Sequence, residues 1–220
     1  MNPSNNSRLS SPATTLLYLD ASPRGERSQS RALGQKFVEA WRESHPKATV
    51  ITRDVGREPP PFVTEAWVEG AFAPALQQSP AAQAAIAVSN RLVDELLSAD
   101  QIVIATPIYN LSIPAVLKAW IDQIVRVGRT FAMEDGGYRG LAGGRRATVI
   151  VASGGDFRPG TSAAGYNFLE PYLRAVLGFI GISDVEIVYA HSLAVSEPVA
   201  QASRNAAQEN LDRIARDRAA

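Results

Sequence analysis

The chain has 220 residues, 45% hydrophobic, 20% charged and 7% aromatic, which suffices for one sizeable α/β core without covalent staples. Lysine plus arginine equals aspartate plus glutamate, 22 against 22, so no global field draws it to nucleic acid, and the lack of cysteine excludes disulfides, thiolate nucleophiles and cysteine metal sites. His45 and His191 are too few for a histidine-rich metal cluster, and no apolar run approaches the ~18–20 residues of a membrane span.

Met1 to Thr14 is polar, with Asn2, Asn5, Asn6 and four serines, and lacks the apolar segment of a secretory signal. It reads as a disordered tail. Thr15-Leu16-Leu17-Tyr18-Leu19 is a compact apolar run, the pattern of a buried parallel strand, broken by Asp20 to Gly25. Ser28 or Ser30 then stands before Leu33, Phe37, Val38 and Trp41, whose spacing is helical, and His45-Pro46 ends that helix. Ala48 to Thr52 is a second strand, followed by the prolines Pro59, Pro60 and Pro61. From Phe62 to Ser79 the pattern is mixed, and Trp67 and Phe72 are expected to pack under a long loop or short helix.

Pro80 to Ser98 reads as a helix with Ile86, Leu92, Val93, Leu96 and Leu97 inward, leading into a third strand over Ile102 to Ala105. Ile113 to Val127 is predicted helical, with Gly128 as a stop. Its face bearing Val116, Trp120 and Ile124 fits either the sheet or a dimer contact. Thr130 to Gly144 is a glycine-rich excursion with turn chemistry at Glu134 to Tyr138. Ala147 to Ala152 is a fourth strand, Tyr166 to Phe179 a helix, Val185 to Tyr189 a fifth strand and Glu197 to Arg216 a closing helix. Five strands alternating with helices argue for a doubly wound parallel sheet with helices on both faces.

Three loops at strand carboxyl ends could carry chemistry, because that is where open parallel sheets bind ligands. The first holds Ser22, Ser28, Gln29 and Ser30 at a helix start, where orphan amides and the helix dipole suit a phosphate; plain N-capping is the alternative. No Walker G-x4-G-K-S/T pattern and no G-x-G-x-x-G follows the first strand, which disfavours a P-loop or Rossmann site. The second holds Pro107, Ile108, Tyr109 and Asn110: a fixed turn, a ring face and an amide that both donates and accepts. The third is Ser153-Gly154-Gly155, where two glycines let backbone approach a ligand closely. His191, after the fifth strand, is a proton-donor candidate set against a structural role. There is no G-x-S-x-G nucleophile elbow, and Asp20 stands single where a receiver domain needs an acidic cluster.

These loops in order, with Thr130-Phe131 and Leu177-Gly178-Phe179-Ile180-Gly181-Ile182 before Asp184-Val185, closely resemble the FMN-dependent NADH:quinone oxidoreductase and azoreductase family from about Leu16 to about Ala215. The resemblance implies a flavodoxin-like, doubly wound five-stranded fold over residues 15–220, tightly bound FMN and a homodimer with active sites near its interface. It would put Ser22, Ser28, Gln29 and Ser30 around the FMN phosphate. Pro107, Ile108, Tyr109, Asn110 and Leu111 would lie along the isoaloxazine, and Ser153, Gly154 and Gly155 at its pyrimidine side. Phe131 and Tyr109 are candidates for apolar walls of the substrate pocket, with plain core packing as the alternative for each. Two departures stand out: Leu111 where relatives often carry phenylalanine, and Ser153 where many carry arginine.

The implied activity is a ping-pong cycle. NADH or NADPH gives hydride to the flavin and leaves, and a quinone or aromatic azo compound then takes two electrons in the same place. No side chain is required as a nucleophile, in keeping with a chain without cysteine; no nucleic-acid or membrane partner is expected, and the cytoplasm is the expected location. The alternative is a non-enzymatic flavodoxin-like electron carrier, but such carriers are usually acidic and this chain is balanced.

Overall fold

A computed structural model of the chain describes residues 14–134 and 136–217, so the proposed tail over residues 1–14 lies almost wholly outside the described residues. In chain order the elements begin β1 (Thr15–Asp20), α1 (Gln29–Ser44), β2 (Thr49–Asp54), α2 (Glu65–Phe72), α3 (Pro80–Ser98) and β3 (Gln101–Pro107). There follow α4 (Ala115–Ile124), β4 (Phe131–Glu134), β5 (Gly137–Gly140), β6 (Arg146–Ala152), α5 (Leu169–Phe179), β7 (Asp184–Ala190) and α6 (Glu197–Asp217). One parallel sheet runs β2-β1-β3-β6-β7. The three central strands come from the most continuous apolar runs, and their residues are buried almost without a break; β2 and β7, at the edges, are only partly buried.

Side chains alternate across the sheet with a period of two, so each face has its own core. Leu17, Leu19, Ile102, Ile104, Val149 and Val151 meet α3, α4 and α5 through Leu92, Leu96, Leu117, Trp120, Leu173 and Leu177. Leu16, Tyr18, Val103 and Ile150 meet α1 and α6 through Phe37, Trp41, Leu211 and Ile214. Trp120 and Ile124 are each only 1% exposed, so that face of α4 packs on the sheet and cannot be a dimer surface. A Cβ on Gly34 would stand 2.6 Å from the Tyr18 hydroxyl, and its absence lets α1 settle against β1.

The structure departs from the sequence expectations in four places. The Thr130–Gly144 excursion contains an antiparallel hairpin, β4 with β5, separate from the main sheet. The fourth helix ends at Ile124, well before Val127, because the Thr130 hydroxyl accepts from the Arg126 N–H (2.8 Å) and donates to the Ile124 carbonyl (2.7 Å). Gly128 (φ +71°) instead belongs to the turn leading into β4. The helix expected from Tyr166 begins at Leu169, after a single 3-10 turn over Ala164–Tyr166, with the Asn167 side chain accepting from the Glu170 N–H (3.1 Å). Finally, α2 buries Trp67 but leaves Phe72 70% exposed. The Trp67 indole donates to the buried Gln123 amide oxygen (2.8 Å), whose amide nitrogen donates to Pro61 (2.7 Å); Phe72 has no such anchor and points outward.

Candidate active site

Parallel register brings the strand ends level: Asp20 lies beside Asp54 and Ala105, Pro107 beside Ala152, and Ala152 beside Ala190. The loops that follow therefore converge. At the first, Ser28 rather than Ser30 is the N-cap of α1, its Oγ accepting from the Arg31 N–H (3.2 Å). The Ser28 and Ser30 hydroxyls are 3.2 Å apart and both buried. Among the described residues, the first-turn N–H groups of Gln29 and Ser30 meet no acceptor. Capping and anion binding are thus compatible: Ser28 caps, while Ser30 and two amides stay available to a ligand.

Beneath this turn lies a buried charge cluster. Arg31, 6% exposed, reaches Asp54 (2.6 Å) and Asp20 (3.0 Å), the second contact lying off the line of a hydrogen bond. Asp20 is therefore not single: the register sets Asp54 alongside it, with Arg31 between them. Burial raises the Asp20 carboxyl above its usual range, against the Ser22 N–H and Arg31. Burial also acts to raise Asp54, but the hydrogen bonds from Arg31 and the Arg57 N–H carry it below its usual range.

After β3, Tyr109 and Ser112 exchange both backbone hydrogen bonds (3.0 and 3.1 Å) around Asn110 and Leu111, each at positive φ (47° and 75°). Asparagine tolerates that conformation; for leucine it costs on the order of 1 kcal/mol. The Leu111 carbonyl accepts from the Phe168 N–H (3.0 Å), which ties the turn to the start of α5. After β6, the carbonyls of Ser153, Gly154 and Gly155 accept from the N–H groups of Leu193, Ala194 and Ser192. That zipper leaves the N–H groups of Gly154 and Gly155 without an acceptor among the described residues. The Ser153 hydroxyl is spent on the Gly155 carbonyl (2.8 Å).

A cleft of about 300 Å³ runs between these loops. It is lined by Ser22, Ser28, Gln29, Ser30, Pro107, Ile108, Tyr109, Ser153 and Gly154, all singled out from the sequence. Asn110 lines instead a second, mainly apolar cavity of about 650 Å³, and Tyr109 is the wall common to both. Leu111 and Gly155 line neither. Phe131 also lines neither: its ring packs on Phe179 (4.8 Å between centroids) and Tyr138 (6.1 Å), so in this chain it seats the β4–β5 hairpin on α5. Sequence reasoning missed Arg24, Leu193, Ala194 and the ion-paired Glu197 and Arg204 on the cleft wall. The signal for Leu193 and Ala194 was available, since they follow the fifth strand at its carboxyl end.

His191 lines neither cavity; its Nδ1 is 3.0 Å from the Ser192 hydroxyl and 3.5 Å from Asp156. Burial and Arg158 lower its pKa despite Asp156. The hydrogen bond from Arg158, helped by its N–H and by His191, holds Asp156 down to about 2 against an ordinary 3.8. A depressed carboxylate adds stability above its unfolded pKa, and that stability is lost as pH falls through the folded one. Asp156→Asn is therefore expected to flatten the decline of stability between pH 3.8 and about 2. Urea midpoints measured across that window check it; an unchanged acid limb would show the ion pair adds nothing.

A flavodoxin-type strand order, with a cleft at the carboxyl ends of its strands, defines a flavodoxin-like protein. The family model described as "Flavodoxin-like fold" matches residues 14–214. The FMN-dependent NADH:quinone oxidoreductase of Nostoc punctiforme is 46% identical over 200 residues, 91% of this chain and 98% of its own length. The chain belongs to this flavodoxin-like family of FMN-dependent NADH:quinone oxidoreductases. It is also 51% identical over 181 residues, 80% of this chain and 85% of its relative, to the FMN-dependent NAD(P)H:quinone oxidoreductase 1 of Pseudomonas aeruginosa. Among solved structures, an azoreductase from Bacillus anthracis superposes with a TM-score of 0.86 at 28% identity, covering 93% of this chain and 99% of its own. An FMN-dependent NADH-azoreductase of that species, in complex with FMN, gives 0.82 at 27% identity, covering 92% and 99%.

Proposed function

We propose that this chain is an FMN-dependent oxidoreductase that takes hydride from NAD(P)H and passes two electrons to quinones or aromatic azo compounds. The observation that carries the reading is the cleft itself, which joins a cradle of hydroxyls and orphan amides at the start of α1 to the space beside Tyr109. The residues fit FMN: the donors at one end suit a dianion, and the glycine amides at the other suit a developing negative charge. Relatives spanning nearly the whole chain support it.

FMN supplies the hydride chemistry when bound; the protein supplies placement and electrostatics. Ser22, Ser28, Gln29 and Ser30 would hold the phosphate. Pro107, Ile108 and Tyr109 would lie along the ring, with Asn110 and Leu111 shaping that turn. Ser153, Gly154 and Gly155 would border the pyrimidine side, the amides of Gly154 and Gly155 meeting negative charge as it develops. Tyr109 would give the incoming nicotinamide or acceptor an apolar surface. We propose a homodimer as the active form, because Tyr109 on the cleft wall and Leu111 on the turn that follows it are each 37% exposed and a second copy would shield them. The reducing cytoplasm, which suits a chain without cysteine, is the proposed location.

The test is direct. The purified protein is expected to be yellow, to oxidise NADH or NADPH only when a quinone or azo dye is present, and to scatter light as a particle of twice 23.6 kDa. A protein that takes up no FMN would overturn the reading. A yellow protein that leaves NADH and NADPH untouched in the presence of quinone would be a carrier, and a monomer would remove the shared-site element.

A further inference from the structure

The cradle rests on a buried arginine that does not itself line the cleft. Arg31 donates through Nη2 to the Ser22 carbonyl (3.2 Å), while Asp20 accepts from the Ser22 N–H (2.9 Å). The peptide units on both sides of Ser22 are thus fixed by one ion pair. The Arg31 N–H also donates to the Ser28 hydroxyl, and its carbonyl accepts from Tyr18 (3.4 Å). Two carboxylates, Asp20 and Asp54, lie directly beneath a turn that is to receive a phosphate, and Arg31 is the cation between them. Of these two carboxylates Arg57 reaches only Asp54, at 3.7 Å; it pairs more closely with Glu26 (3.0 Å) and its side chain is 55% exposed.

We propose that Arg31 is a positioning residue for the phosphate cradle, which by clamping Ser22 and neutralising Asp20 and Asp54 makes the cleft selective for a phosphorylated flavin over its dephosphorylated form. This rests on the reading of the cleft as an FMN site. Two consequences of removing Arg31 bear on the phosphate alone. Ser22 loses one of the bonds that hold it, and the buried Asp20 and part-buried Asp54 are left without their shared cation, facing an incoming dianion at short range. A ligand that ends in a hydroxyl feels the second effect hardly at all.

Apo-protein titrated with FMN and with riboflavin, followed by quenching of flavin fluorescence, decides the matter. Arg31→Met is expected to bind FMN about 10- to 100-fold more weakly while riboflavin affinity stays within about twofold. Adding Asp54→Asn to Arg31→Met is expected to restore part of the FMN affinity, since it removes the uncompensated charge. Arg31→Lys, which keeps charge but not the fork that reaches Asp20, Asp54 and Ser22 together, is expected to fall between. Equal losses for the two flavins, or no loss for FMN, would overturn the proposal. If Arg31→Met does not fold, the same FMN-to-riboflavin ratio in Arg31→Lys decides; if neither folds, Arg31 is a fold element and the proposal fails. Wild-type protein that binds neither flavin would overturn the FMN reading itself, a result distinct from wild-type binding that the variants leave unchanged.

Discussion

Gly56→Ala is expected to lower both thermal stability and FMN affinity, although Gly56 does not line the cleft. Its N–H donates to the Asp20 carbonyl (3.1 Å), which presses the turn after β2 against the end of β1. A Cβ there would lie 2.3 Å from the Ser22 carbonyl oxygen and 2.5 Å from its carbon. Those are backbone atoms and cannot swing aside like a side-chain tip. Either the turn lifts off β1, or Ser22 moves and the Arg31 bond to its carbonyl breaks. Overpacking of this kind costs about 1–3 kcal/mol. In a domain of this size that lowers Tm by about 2–4 °C per kcal/mol. Because the displaced residue belongs to the cradle, FMN affinity should fall about tenfold or more, the equivalent of about 1.4 kcal/mol. Calorimetry of the apo-protein and an FMN titration read the two effects separately. Unchanged values in both would show that the turn has slack the geometry does not suggest.

The double variant Ser28→Ala with Ser30→Ala should have the larger effect on binding. Hydrogen bonds to a charged group are worth about 1.5–3 kcal/mol each, so losing two donors to a phosphate predicts about a 100-fold or greater loss of FMN affinity. Ser28 also caps α1, and its removal costs about 1 kcal/mol of stability whether or not a phosphate binds. Ser30→Ala alone keeps the cap and so isolates the ligand effect. The expected pattern is lower stability in every variant lacking Ser28, lower FMN affinity in both single variants, and little change for riboflavin. A double variant that retains full FMN affinity would put the phosphate somewhere other than this turn.

Exposure around the cleft decides which single-chain features carry weight for the substrate. Tyr109 walls both cavities at the start of a turn whose next two residues, Asn110 and Leu111, have positive φ, the strain falling on Leu111. Phe131 is committed to the hairpin and α5. Among the described residues, the aromatic surface facing the cleft is therefore Tyr109, and the second cavity beyond it, with Lys118 and Tyr172, is the apolar space nearest to it.

Much of the protein was legible in its residues because the signals are local. A buried strand declares itself by an unbroken apolar run, and a loop at its end by proline, glycine and serine; so all five strands, their helices and nine residues of the cleft wall could be read off. The β4–β5 hairpin escaped because its strands are short and partly exposed and have no long apolar run. Phe72 was misplaced because an aromatic residue next to a helix or loop carries no label for the neighbour it will meet.

Tertiary structure alone decided what lies side by side. The sequence by itself determined five buried or edge strands, a serine-bearing helix start and two further loops at strand carboxyl ends. It could not show that β2 pairs with β1 so that Asp54 comes level with Asp20, or that Arg31 turns back from α1 to hold both. Nor could it show that the loop after β7 zips onto Ser153-Gly154-Gly155 and leaves two glycine amides without an acceptor among the described residues. Those arrangements depend on strand order and register, which are set by how whole faces of helices and sheet pack rather than by any short stretch of chain.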